Sequence, residues 1–236
     1  MHDSYDPILG LTNIVDLPII NKQLALIDKI NTDNTKELLL LVDVLAYRKN
    51  QPDWYGNCVD GLIYETLYKT QDITIQNFLT KELPDGVVKL KSDKNMNYQD
   101  LQILLVNKQL QEANQLTQKK LCELAEVKLA NRDWLYFTDI QALPNQDLIT
   151  IDNLWKAHSR GRFGFSNQRQ IWLNVNKNWN ELWKKLGWKI NDNLCRYPNE
   201  FIWDLNAPKG HLPLFNQLRG VQVLSSLFDN PIWENQ

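Results

Sequence analysis

The 236-residue sequence predicts an all-α protein in two parts. An N-terminal helical bundle is expected over residues 1–85 and a helical core domain over 98–236, with a linker at 86–97 between them. Three observations carry this. Apolar residues recur at i, i+3, i+4 and i+7 in segment after segment, and residues with capping chemistry stand at the ends of those runs. No segment of the second half alternates apolar and polar as a half-buried strand does. With 43% hydrophobic residues, the chain has enough apolar surface to bury a core.

Taken in order, residues 9–80 read as several short helices. The clearest puts Leu38, Leu41, Val42 and Leu45 on one face, and Asn34 with Glu37 three residues later gives it a capping-box-like start. The charged stretch "KELPDGVVKLKSDKNMN" contains Pro84 and Gly86 and breaks the pattern, as a linker does. From Tyr98 to Lys128 two helices flank a turn-like "NKQ", with Leu121, Leu124, Ala125 and Leu129 on one face, so a helical hairpin is expected. Ile151, Leu154, Trp155 and His158 share a face of a helix predicted to start near Thr150 and to stop at Gly161. The segment "GRFGF" is then a loop between helices. Ser166 is placed to cap the next helix, which carries Trp172 and Val175. Asn178 with Glu181 caps the one after, which carries Trp179, Leu182, Trp183 and Leu186. Gly187 followed by Trp188 reads as a C-terminal stop. In "NAPKGHLP", residues 206–213, two prolines and a glycine fix turns and remove donors, and a last helix is predicted from about Leu214 to Phe228.

Composition removes several function classes. A net charge of −2 gives no global pull toward nucleic acid or anionic lipid. Cys58, Cys122 and Cys195 stand far apart and are odd in number, which predicts reduced, buried thiols rather than a zinc site or a disulfide framework. There is no run of eighteen apolar residues, and "MHDSYDPILG" has no basic region ahead of an apolar stretch, so a soluble chain without an export or transit peptide is expected. Gly-rich phosphate loops, HExxH and nucleophile elbows are missing. Asp152 and Asp204 have no spacing that would pair them with His158 or His211 as acid and base, so no catalytic residue is assigned and no enzyme is predicted.

What stands out is local. Apart from Arg48 and Trp54, every arginine and tryptophan lies at or beyond position 132, and "SRGRFGFSNQRQIW" combines three arginines, two glycines and three aromatic rings. Three readings fit that mixture. The run of basic residue, glycine and aromatics has some likeness to an RNA-recognition signature, although Arg162 is inserted between Gly161 and Phe163 and the flanks are helical rather than β. Equally, the rings can anchor the core while the arginines sit on the surface. A third reading is a surface suited to a large, flat, apolar ligand with anionic arms.

The ordered series "LITIDNLWKAHSRGRFGFSNQRQIW", "GW", "FIWDLNAPKGHLP" and the later "RG" resembles the tetrapyrrole-binding family named after the fourth genomes-uncoupled locus. The likeness covers roughly residues 98–228, and residues 1–80 fit the variable helical extension of cyanobacterial members. The resemblance implies a non-catalytic regulator that binds protoporphyrin IX and magnesium protoporphyrin IX and stimulates magnesium chelatase, with the chelatase H subunit as partner. A ligand-free scaffold and an RNA-binding module are the alternatives. It further implies a cupped helical fold with a concave apolar palm, a monomer with an option of peripheral membrane association, and no tightly bound metal. The porphyrin-contacting residues it implies are Arg160, Arg162, Phe163, Phe165, Trp203, His211, Leu212, Asn216 and Arg219. Asn216 is additionally an axial oxygen ligand for porphyrin-bound magnesium, for which oxygen is preferred over imidazole.

Energetics agree with such a ligand. Covering one macrocycle face of about 300–400 Å² gives about 8–10 kcal/mol gross, which association costs of several kcal/mol reduce to weak binding. Arginine–propionate bonds at about 1.5–3 kcal/mol each make up the difference, and Arg219 matches the family's basic contact. Gln222 stands where a second basic residue is expected. Chlorophyll synthesis places such a protein in a plastid or a cyanobacterial cytoplasm. The Asn-, Lys- and Ile-rich, Arg-poor composition favours plastid encoding.

Overall fold

The computed structural model describes residues 11, 17–52, 54–127, 132–215 and 221–235, and among them the chain is all-α apart from one two-stranded ribbon. Two compact units result, Met1–Lys89 and Leu90–Gln236.

In the first unit, α1 (Leu17–Ile27), α2 (Thr35–Lys49), α3 (Cys58–Tyr68) and α4 (Ile73–Glu82) form the bundle. Asn34 caps α2, accepting from the Lys36 amide, while Glu37 turns back to the Asn31 amide at 2.8 Å. The buried face of α2 is Leu38, Leu41, Val44 and Leu45, so Val44 takes the place expected for Val42. Arg48 is buried with Asp60, its Nε 2.6 Å from the carboxylate, and its other nitrogens donate to Leu11 O and to Asn57 Oδ1. Every charge taken out of water there has a bonded partner, which is the condition for burying a pair.

In the second unit, α5 (Gln99–Val106) and α6 (Leu110–Leu124) form the expected hairpin, with Lys108 at φ 59° in the turn. The segment just ahead of it is fastened down rather than free. Ser92 Oγ, the Asp93 amide and Tyr98 Oη all donate to the buried Asp147 carboxylate at 2.5, 2.9 and 2.7 Å, and Lys91 O accepts from Thr150 Oγ1 at 2.7 Å. Burial and the neighbouring carboxylate push the Tyr98 hydroxyl far above its ordinary titration range.

Next come α7 (Phe137–Gln141), α8 (Asn145–Ala157), α9 (Phe165–Asn174) and α10 (Trp179–Leu186), then a ribbon of β1 (Lys189–Ile190) and β2 (Asn193–Leu194), and finally α11 (Gln222–Phe228) and a 3-10 turn at Pro231–Asn235. Helix α8 starts at Asn145, earlier than the predicted Thr150, because the Pro144 carbonyl already accepts from the Leu148 amide at 3.2 Å. Its Ile151, Leu154, Trp155 and His158 are all buried, as their spacing predicts. Asn178 caps α10, and Gly187 ends it at φ 69° with the Trp188 amide returning to Trp183 O. The ribbon was not expected. It pairs Lys189 with Leu194 across Asn191 and Asp192, both with positive φ, as a two-residue hairpin turn requires. Leu214 and Phe215, predicted to open the last helix, lie outside α11.

Candidate functional site

The site is built on a junction between two segments far apart in sequence. Asp152 on α8 is fully buried and accepts from the Ser166 amide at 2.9 Å and from Ser166 Oγ at 2.6 Å. Burial raises its titration, while Lys156 at 3.6 Å and the Ser166 bonds oppose that shift. The first turn of α9 is thus capped by a carboxylate from α8, and the N-cap position itself is Gly164, not Ser166. Only glycine suits that position, since φ is 126° and an added Cβ would sit 2.7 Å from Asp152 Oδ1.

From this corner the loop 160–164 grips "NAPKGHLP". The Gly164 amide donates to Leu212 O at 3.0 Å, the Gly210 amide to Arg162 O at 2.8 Å, and Arg162 Nη2 to Ala207 O at 2.7 Å. Gln168 Nε2 donates to both Gly210 O and Pro213 O, and Phe165 meets Phe215 edge to face at 5.6 Å. The two sequence motifs are one structural unit. His211 sits at its centre with both ring nitrogens engaged. The Ile202 amide donates to Nε2 at 3.1 Å, so Nδ1 carries the hydrogen bonded to Leu186 O at 2.6 Å. Burial holds the His211 imidazole below its ordinary titration range, against the Leu186 carbonyl, which favours the charged form. An imidazole used this way has no free nitrogen for a metal.

Beside this junction α7 packs against α11, and between them opens a groove of about 630 Å³. Phe137, Ile140 and Gln141 line one side; Gln222, Ser225, Ser226 and Asp229 line the other, with Asn230 and Pro231 at the end. Phe137 is 45% exposed, so its ring is offered to whatever enters. Ser226 Oγ donates to Phe137 O at 3.2 Å, which ties the two walls together, and Asn230 Nδ2 donates to Asn145 Oδ1 at the start of α8 at 3.4 Å. The start of α7 is fixed by a bidentate pair, Arg132 with Asp139 at 2.6 and 2.9 Å, over the face of Tyr136. That pair holds the Asp139 carboxyl below the usual carboxylate range through the hydrogen bonds from Arg132.

Phe163, Phe165, His211 and Leu212 have no exposed surface, and Phe163 packs edge-on against Trp155 at 6.4 Å. Rings placed so have no face to offer a nucleic-acid base. Arg160 and Arg162 are half-buried at the edge of the loop, with Arg160 at φ 55°. Trp203 is half-buried too, donating to Pro198 O at 3.0 Å within a cluster with Tyr197 and Phe201. Asn216 and Arg219 lie outside the described residues; in the sequence Arg219 stands three positions before Gln222, the first residue of α11. The groove residues of α7 escape a motif search because they are ordinary polar and apolar types. The available signal was the ring pair Tyr136 and Phe137, followed at Asp139 by the acid that closes the first turn of α7.

A family model described as GUN4-like matches residues 91–231. A protein of Porphyra purpurea designated Ycf53 is 55% identical over 216 residues, covering 92% of this chain and 91% of its own length. The chloroplastic tetrapyrrole-binding protein of Arabidopsis thaliana is 39% identical over 136 residues, 54% of this chain and 51% of that protein. Among solved structures, GUN4 from Chlamydomonas reinhardtii aligns with a TM-score of 0.58 at 36% identity, over 62% of this chain and 94% of that one. The matched region contains the whole junction and both walls of the groove, and on this footing the chain belongs to the GUN4-like family.

Proposed function

We propose that this chain binds protoporphyrin IX and magnesium protoporphyrin IX in the α7/α11 groove and, through the H subunit, stimulates magnesium chelatase as a non-catalytic regulator. One observation carries the reading: an open groove of about 630 Å³, with an exposed aromatic ring on one wall, stands in the family-matched region of a chain whose Arabidopsis relative is called tetrapyrrole-binding. A macrocycle laid against Phe137 and Ile140 gains apolar burial on one face while its polar rim meets amides and hydroxyls.

In this reading Arg219 pairs with a propionate, Asn216 supplies an oxygen to the axial position of a ring-bound magnesium, and Arg160 and Arg162 border the site. Phe163, Phe165, His211 and Leu212 act from beneath, as the rigid bed. Trp203 serves its edge. The protein acts as a monomer in a plastid, or in a cyanobacterial cytoplasm. Magnesium deuteroporphyrin IX titrated into the full chain should quench tryptophan fluorescence saturably at micromolar ligand, and adding the chain should raise magnesium insertion by the chelatase. No quenching at such concentrations overturns the binding reading. Quenching without stimulation overturns the regulatory one.

A further inference from the structure

The first unit has a pocket of its own, outside the family-matched residues 91–231. It measures about 440 Å³, within the range that takes small molecules. Leu62, Glu65, Thr66 and Lys69 recur at i, i+3, i+4 and i+7, so one face of α3 and its C-cap forms a wall. Asp33 comes from the α1–α2 turn and Thr70 from the turn after α3, while Leu38 joins Leu62 as apolar surface. We propose that this pocket binds a zwitterionic amino acid with an apolar side chain, its ammonium on Asp33 and Glu65 and its carboxylate on Lys69 and Thr70.

The charges decide the ligand class. Asp33 and Lys69 line the same pocket, yet among the described residues neither has an ion-pair partner. Opposite charges held apart in one pocket are satisfied together by a molecule that carries both. A plain amine would bring a like charge to Lys69, and a plain carboxylic acid would bring one to Asp33 and Glu65. Glu65 is only 4% exposed, so a charge-assisted bond to its carboxylate is less screened than one at the surface. The hydroxyls fit the same assignment. Thr70 Oγ1 accepts from the Asp72 amide at 3.3 Å, which leaves its proton to donate to a carboxylate. Thr66 Oγ1 donates to Leu62 O at 2.8 Å, which leaves its lone pairs to accept from an ammonium. The turns are also set before a ligand arrives. Glu37 accepts from the Asn31 amide at 2.8 Å and Asn31 Oδ1 from the Asp33 amide at 3.0 Å, while Gln76 Nε2 donates to Thr70 O at 2.8 Å. Such preorganisation lowers the cost of binding.

The test titrates L-leucine and L-phenylalanine into the full chain by calorimetry. Beside each run the counterparts that keep one of its two charges: isoamylamine and 4-methylpentanoate for leucine, phenethylamine and 3-phenylpropanoate for phenylalanine. The better of the two amino acids should bind saturably at one site per chain, and its two counterparts at least about tenfold more weakly. Asp33 and Lys69 are exposed, so Asp33→Asn and Lys69→Gln keep the fold. Lys69→Gln should weaken the amino acid without weakening the amine, and Asp33→Asn should weaken it without weakening the acid. No saturable binding of either amino acid overturns the proposal, as does an amino acid that binds no better than its counterparts. Affinity unchanged in both variants overturns it too, by placing the ligand elsewhere.

Discussion

The motif junction and the groove beside it are opposites. Around His211 every segment is closed: Gly164, Arg162, Gln168 and Trp188 bond to the "NAPKGHLP" backbone, and the aromatic rings are fully covered. Between α7 and α11 the surface is open and lined largely by neutral polar side chains around one exposed ring. The difference teaches that the residues which make this chain recognisable are the ones that hold its shape, while those of the groove proposed to take the ligand are chemically ordinary. A carboxylate that caps a neighbouring helix tolerates no substitute, whereas a serine in a groove wall does.

If that division is right, damage to the junction should appear as lost stability and damage to the groove as lost binding. The largest effect belongs to Phe165→Ala, which removes a fully buried ring from its contact with Phe215 and should cost about 3–5 kcal/mol in chemical denaturation. Next is Gly164→Ala. Its Cβ collides with Asp152 Oδ1 and its backbone is held at φ 126°, so a loss of about 1–3 kcal/mol is expected by the same measurement. Phe137→Ala should leave the denaturation midpoint within experimental scatter, because the ring is 45% exposed, yet weaken porphyrin binding about tenfold. A stability loss there without a binding loss would erase the distinction.

The smallest effect is a pH dependence. His211 is held neutral by burial, so its folded-state titration lies below the ordinary value of 6.5 and the unfolded chain takes up the proton more readily. Its contribution is therefore complete above about pH 6.5 and is lost as the pH falls through the folded value, where protonating Nε2 also breaks the bond from the Ile202 amide. A thermal midpoint that declines on acidification, and declines less in His211→Asn, is the expected record.

Local chemistry was legible where one residue decides a backbone outcome. Asn34 and Asn178 cap their helices and Gly187 ends one, all on the positions that carry the signal. The buried stripe of α8 follows from spacing alone. Predictions slipped where a distant partner decides. Ser166 looks like an N-cap, but Asp152 reaches across from α8 to do that work, which moves the cap to Gly164. The charged stretch after Gly86 carries the division between the two units, at Lys89 and Leu90, and nothing in its sequence announces that Asp147, more than fifty residues on, holds Ser92 and Asp93. The junction was foreshadowed by its paired motifs. The groove was not, because its walls are two short helices that meet only through tertiary packing and neither carries an unusual residue.

The central claim, that the macrocycle lies between α7 and α11, is tested most directly by blocking the groove without touching the junction. Ser225→Trp fills the α11 wall with an indole. Magnesium deuteroporphyrin IX should bind the wild type saturably and the variant at least about tenfold more weakly, with the two far-UV helical spectra superimposable. Equal affinity in both proteins would contradict the account, because the ligand would then be held somewhere the groove does not reach.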